Sequence, residues 1–339
     1  MDKVKLGIIG LGRLGRKHAE NIYYKIPNAK LTAICSIVQK ELDSVLKEMN
    51  PKYVTKDYRE IINNKELDGI VIASSSDSHC QQIIDACEAG RKYIFTEKPI
   101  GTTLEEISKI KKAVNLNKGV KLQVGYHRRF DISYQAAKKK INEGFIGDPI
   151  FIKNINRDAA TEEEFLLKFS PKSGGLIFDT GSHDYDMSRW LINSDAKSIY
   201  GLGGVYVYEG LKKINDMDNC TLLVEFKNNV MGQFVLSRNC TYGYHVETEI
   251  YGTKGSIRVC ATPAKDRVTY FNENGVNLKC IESFYDFFKP CYLAELQEFV
   301  NCIIENRQPL VTAEDGYKTV EWSFAANEAI KNKKIVYLN

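Results

Sequence analysis

The chain has 339 residues, of which 43% are hydrophobic and 27% charged, and its formal net charge is +4. That length suits two domains, and the apolar content is enough for two cores. The mild charge gives no argument for nucleic acid, no apolar run approaches the roughly 20 residues of a membrane span, and the opening Met1-Asp2-Lys3-Val4 lacks a secretory leader, so a soluble cytoplasmic protein is expected.

From the start of the chain, strands and helices alternate. Val4 to Ile9 reads as a short buried strand ending at Gly10, followed by a helix over 13–25. Strands at Leu31–Cys35, Tyr53–Val54, Leu67–Ala73, Tyr93–Thr96 and Lys121–Gly125 are separated by helical stretches near 40–49, 58–63, 79–89 and 104–117. This rhythm predicts parallel βαβ units, so residues 1–125 are read as a doubly wound Rossmann-type sheet. Residues 126–339 are read as an α+β domain with a large, mostly antiparallel open sheet. Its elements are a helix over 133–143, a strand near 150–154, a long loop, a helix over 175–191, alternating strands from 196 to 281, and closing helices over 292–305 and 316–332. The uncovered face of that sheet is a natural surface for a homo-oligomer, a dimer or tetramer.

Three constellations carry chemistry. Gly10-Leu-Gly-Arg-Leu-Gly15 follows a strand and opens a helix, where Gly10 and Gly12 permit a tight turn and close backbone approach. The helix start then offers free N–H groups to a pyrophosphate, the signature of a bound dinucleotide. The second strand ends Cys35-Ser36-Ile37-Val38-Gln39-Lys40, with no carboxylate before Glu41. An acidic group there would bind a ribose 2′-OH and repel a 2′-phosphate. Ser36 can donate to that phosphate and Lys40 lies near, so NAD or NADP is expected with a lean toward NADP, unless Ser36 is simply a polar strand end.

Glu97-Lys98-Pro99 follows the strand 93–96, which places Lys98 at the carboxyl edge of a parallel sheet, where such folds bind ligands. A surface lysine before proline is the plain alternative, and Lys98–Pro99 is a candidate cis peptide. Asp179 and His183 are i and i+4 in Asp179-Thr-Gly-Ser-His183. On one helical face a carboxylate raises the basicity of the imidazole, which suits a general base, although a helix start with a core histidine fits equally. Nine cysteines without a C-x-x-C pair read as reduced structural thiols, and the five histidines show no metal-ligand spacing, so no metal is expected.

Together these motifs resemble the glucose–fructose oxidoreductase, inositol dehydrogenase and rhizopine-catabolism family, across essentially the whole chain. The similarity within it is greatest to inositol 2-dehydrogenases, carried by Gly125-Tyr-His-Arg-Arg-Phe-Asp131, Asn156-Arg-Asp158, Phe178–Met187 and Ser237–His245. The resemblance implies a nicotinamide-dependent dehydrogenase acting on a secondary alcohol of a cyclic polyol or sugar. Lys98, Asp179 and His183 would be catalytic. Gly10, Gly12, Arg13, Leu14, Ser36, Ser74, Ser75, Ser76, His79, Glu97 and Lys98 would contact the cofactor, and His127, Asp158, Tyr242 and Tyr244 the substrate. Tyr242 and Tyr244, alternating on a strand, would share one face. Two departures stand out: Ala159 replaces the family's proline, and Thr161–Lys168 forms an acidic loop. A keto-sugar or anhydrosugar reductase would share every catalytic residue, whereas a non-catalytic dinucleotide sensor would have no need of them.

Overall fold

A computed structural model describes residues 2–338. By internal contacts the chain divides into one unit of residues up to His127 plus Pro290–Val320, and a second of Arg128–Lys289 plus the remainder from Glu321.

The first unit follows the expected rhythm. Strands β1 (Val4–Ile9), β2 (Ala29–Cys35), β3 (Tyr53–Thr55), β4 (Gly69–Ile72), β5 (Tyr93–Thr96) and β6 (Lys121–Val124) alternate with α1 (Arg13–Tyr24), α2 (Gln39–Leu46), α3 (Tyr58–Asn63), α4 (Ser76–Glu88) and α5 (Leu104–Leu116). The sheet is parallel in the order β3-β2-β1-β4-β5-β6. Its order therefore reverses between β1 and β4, the place where open α/β sheets bind ligands beyond their carboxyl ends. α5 opens on a capping box of Thr103 and Glu106.

The sequence reading ends this domain at 125 and gives both closing helices to the second. Contacts instead return 290–320 to the first unit, because Leu296, Phe299 and Val300 are buried in one cluster with Leu6, Ile8, Val71 and Phe95. Burying each such side chain is worth roughly 1.5–3 kcal/mol, which is ample reason for the segment to dock there.

The second unit runs α6 (Ile132–Asn142), β7 (Pro149–Ala159), α7 (Glu163–Ser173), α8 (Gly175–Asp179), α9 (Gly181–Ile192), β8 (Ala196–Gly204), β9 (Asn219–Phe226), β10 (Met231–Cys240), β11 (His245–Gly252) and β12 (Ser256–Val259). A hairpin of β13 (Ala264–Asn272) and β14 (Gly275–Cys280) follows. The helices α10 (Phe284–Glu305) and α11 (Ala313–Asn332) span the division between the units, and β15 (Val336–Tyr337) ends the chain. The main sheet has the order β12-β11-β7-β10-β9-β8-β15, and β7 and β10 pair in parallel within an otherwise antiparallel set. Tyr185 of α9 packs on Phe234, and Trp322 of α11 on Phe226 and Tyr185, covering one face of the sheet. On the strands, Leu202, Leu223 and Met231 are exposed.

Three expectations change. The acidic stretch 161–168 is mostly helix, as α7 starts at Glu163. The single helix over 175–191 is two, α8 and α9, meeting at Thr180. The strands over 264–280 form a separate hairpin.

Candidate active site

The glycine loop shows a different steric demand at each glycine. Gly10 has φ +91°, and a Cβ there would come within 2.6 Å of Ala73 O and of Ser74 N and Cα. A Cβ on Gly15 would overlap the carbonyl oxygen of Gly10, so only glycine lets α1 pack this tightly on the loop. Gly12 is the reverse: it is exposed, and a Cβ would meet nothing nearer than Glu41 Oε1 at 4.0 Å. Gly12 is also the N-cap of α1, with no side-chain cap and no acidic residue in the first turn. The open glycine and the uncapped helix start fit a dinucleotide pyrophosphate. Arg13 is exposed and Leu14 half-buried beside it.

Across the switch point, Ser74 Oγ donates to Gln82 Oε1 at 2.7 Å, Ser75 is the N-cap of α4, and Ser76 begins that helix. At the end of β2, Ser36 is buried. Its hydroxyl donates to Glu41 Oε2 at 2.6 Å and accepts from Val38 N–H at 3.1 Å. Glu41 therefore stands beside both Ser36 and Gly12, where the strand itself supplies no acid.

Behind the loop, His79 is buried with Nδ1 2.8 Å from Pro99 O and Nε2 3.1 Å from Ser74 O, tying two loops of the first unit together. Burial pushes its pKa below the usual histidine value, against the pull of the two carbonyls toward the cation. Lys98 is half-buried at the end of β5, and its peptide bond to Pro99 is cis, as expected. Glu97, anticipated as a cofactor contact, turns its carboxylate into the interior, where His18 Nε2 lies 2.6 Å from Glu97 Oε1.

In the second unit, Arg238 gathers the acidic residues. Its Nη1 donates to Asp158 Oδ2 and to Asp179 Oδ2, each at 2.9 Å, and Thr180 Oγ1 donates to Asp158 Oδ2 at 3.1 Å. Burial opposes the Arg238 charge but is outweighed by the two carboxylates, which hold its pKa above the ordinary value. The side chains of Asp158 and Asp179 stay 29% and 18% exposed, so both can still meet a ligand. His183 lies on α9 at the edge of burial, 9% exposed. Beneath it Asp184 accepts from Asn156 Nδ2 at 2.8 Å and pairs with Arg128 at 3.4 Å, while burial pushes its pKa up to about 6. A buried network of charge-assisted hydrogen bonds of this kind fixes side-chain positions for chemistry.

The comparisons with known proteins agree with this geometry. Residues 4–126 match the oxidoreductase family with an NAD-binding Rossmann fold, and residues 134–258 match the GFO/IDH/MocA C-terminal domain. The scyllo-inositol 2-dehydrogenase (NAD(+)) of Bacillus subtilis strain 168 is 32% identical over 99% of this chain and 97% of its own. The chain belongs to the GFO/IDH/MocA oxidoreductase family. Among solved structures, scyllo-inositol dehydrogenase from Lactobacillus casei with bound NAD(H) and scyllo-inositol superposes with a TM-score of 0.94 at 38% identity, covering 99% of both chains. Myo-inositol 2-dehydrogenase from Lactobacillus plantarum gives 0.95 at 30% identity over 100% of both. As a GFO/IDH/MocA oxidoreductase, the protein is a nicotinamide-dependent dehydrogenase of CH–OH groups that uses NAD.

The other residues expected at the substrate have these surroundings. His127 is buried in the first unit, stacked on Tyr292 with ring centroids 4.3 Å apart. Tyr242 and Tyr244 do not alternate on a strand, since they lie in the turn between β10 and β11 with Gly243 at φ +131°. Tyr242 is 46% exposed and accepts from Arg157, whereas the Tyr244 hydroxyl, buried, accepts from Arg128 at 3.1 Å. Arg238, Asn156, Asp184 and Glu41 were given no site role from the sequence. Arg238 lies within the quoted Ser237–His245 segment, and its position between two carboxylates is the signal that was missed.

Proposed function

We propose that the protein is an NAD-dependent inositol dehydrogenase that oxidises one ring hydroxyl of scyllo-inositol to a ketone. The observation that carries this reading is full-length similarity to a scyllo-inositol dehydrogenase, in a chain that also has Lys98, Asp179 and His183. NAD, when bound, supplies the hydride acceptor.

The residues of the chain do the rest. The start of α1 holds the pyrophosphate through its N–H groups, with Gly12 giving it room. His183 takes the proton of the reacting hydroxyl on a ring nitrogen. Asp179, held by Arg238, keeps the imidazole oriented and offsets its charge as it protonates. Lys98 Nζ donates to the alcohol oxygen and stabilises the negative charge that develops there. Asp158 accepts from a neighbouring ring hydroxyl, and a substrate with a hydroxyl on every ring carbon suits such a carboxylate-rich wall.

NAD is favoured over NADP in this reading, which weighs Glu41 above Ser36. That serine spends its proton on Glu41, and the Glu41 carboxylate beside Gly12 is the acceptor a ribose 2′-OH needs and a 2′-phosphate would meet as repulsion. The test is a panel of inositols and aldoses, each with NAD and with NADP, followed by absorbance of the reduced nicotinamide.

A further inference from the structure

In the first unit, around the residue that precedes Lys98, three buried ionisable side chains converge. Glu295 of α10, Glu97 after β5 and His18 of α1 each place one donor atom within 4.8 Å of the others. Glu295 is fully buried, and neither of its carboxyl oxygens has a hydrogen-bond partner among the described residues. His18 is bonded through Nε2 to Glu97 at 2.6 Å, while its buried Nδ1 has no partner among them.

The charge count follows from these contacts. With Nδ1 unpartnered among the described residues, the imidazole's hydrogen bond runs through Nε2–H, which donates to Glu97. Glu97 is the acceptor of that bond. A second carboxylate at this distance would place two like charges in a dry interior, which buried acids avoid by keeping a proton. The surroundings add no relief: Phe95 and Tyr292 pack edge-on against the His18 ring, and Gln123 donates to the backbone carbonyl of Glu295, not to its side chain. Burial pushes the Glu295 pKa well above the usual range, and the Glu97 charge pushes the same way.

We infer that Glu295 is a permanently neutral carboxylic acid, and that through Glu97 it is a positioning residue for Lys98. The cluster thus carries one negative charge, on the residue next to the lysine, and the acid form of Glu295 lets Glu97 stay ionised without a buried counter-ion. The consequence for turnover rests on the role proposed for Lys98, whereas the protonation state does not.

The experiment compares the full-length wild type with Glu295→Gln and Glu295→Ala. At pH 8 the wild type shows an infrared carbonyl stretch of a protonated carboxyl group, and Glu295→Gln loses it. Because glutamine mimics the neutral acid, Glu295→Gln keeps its melting temperature and keeps kcat within about threefold. Glu295→Ala lowers kcat at least tenfold with the NAD dissociation constant within about twofold. Absence of the protonated-carboxyl band overturns the proposal. So does one equivalent of bound metal in the wild type that is lost in Glu295→Gln, since the cluster would then hold a cation rather than a proton. If the band is present but Glu295→Ala keeps full kcat, the neutral acid stands and the link to Lys98 falls.

Discussion

At the scale of single residues, the cofactor preference turns on Glu41. The sequence shows its carboxylate five positions beyond Ser36, too far along to read as the end of β2. Folding brings it back, because α2 begins at Gln39 and its first turn lies over the loop. NADP should bind at least 10-fold more weakly than NAD, and Glu41→Gln should narrow that gap by a similar factor. Tenfold corresponds to about 1.4 kcal/mol, well within one charge–phosphate interaction. Fluorescence titration of both cofactors measures it, and a wild type that binds NADP as tightly as NAD contradicts the assignment. The spacing of His183 to Asp179 is what suggests a general base, and the two residues fall on successive short helices that meet at Thr180. His183→Ala should lower kcat by at least about 10²-fold, the lower edge of general-base contributions, with little change in the NAD dissociation constant. A variant retaining half its turnover would remove His183 from the chemistry.

At the scale of elements, the glycine loop allows a paired test. Gly12→Ala points its methyl into open space, so the melting temperature should stay within about 2 °C while NAD affinity falls at least tenfold. Gly15→Ala drives a methyl into Gly10 O and should lower both. Equal losses of stability in the two variants would show that Gly12 is structural. The strand–helix alternation of the first unit was readable because each buried strand is a short apolar run between turn residues. α7 was not, since its acidic first turn mimics a loop and its burial rests on only Leu166, Ser170 and Ser173. The loop before β9 is held by Asp218, also unread. Its buried carboxylate accepts from the N–H groups of Tyr206, Val207 and Tyr208 at 2.9, 2.7 and 2.8 Å. Burial alone would raise its pKa, but these bonds and one from Asn219 outweigh it and hold the carboxyl below the usual aspartate value. A lowered folded pKa gives stability that is present above the unfolded value near 3.9 and is lost as pH falls through the folded one. Asp218→Asn should therefore cost about 1–3 kcal/mol at pH 7 in urea unfolding, with a deficit that narrows only below about pH 4. A deficit equal at pH 7 and pH 3 would contradict the anionic role.

At the scale of the whole molecule, two units and their fold classes follow from the change of rhythm after Gly125. The exact partition does not, because Pro290–Val320 returns to the first unit through contacts separated by hundreds of residues, which no local pattern records. The same holds for the sites. The glycine loop and Lys98 are local motifs, whereas Arg238 between Asp158 and Asp179, and Glu295 beside Glu97, exist only once distant segments meet. The reaction itself is tested most directly by steady-state oxidation of scyllo-inositol, myo-inositol and a set of aldoses with NAD or NADP, read as absorbance of the reduced nicotinamide. NAD-dependent turnover with scyllo-inositol is expected, at a kcat/KM above that of every aldose and with NADP at least tenfold poorer. Turnover of an aldose with no detectable oxidation of either inositol would contradict it.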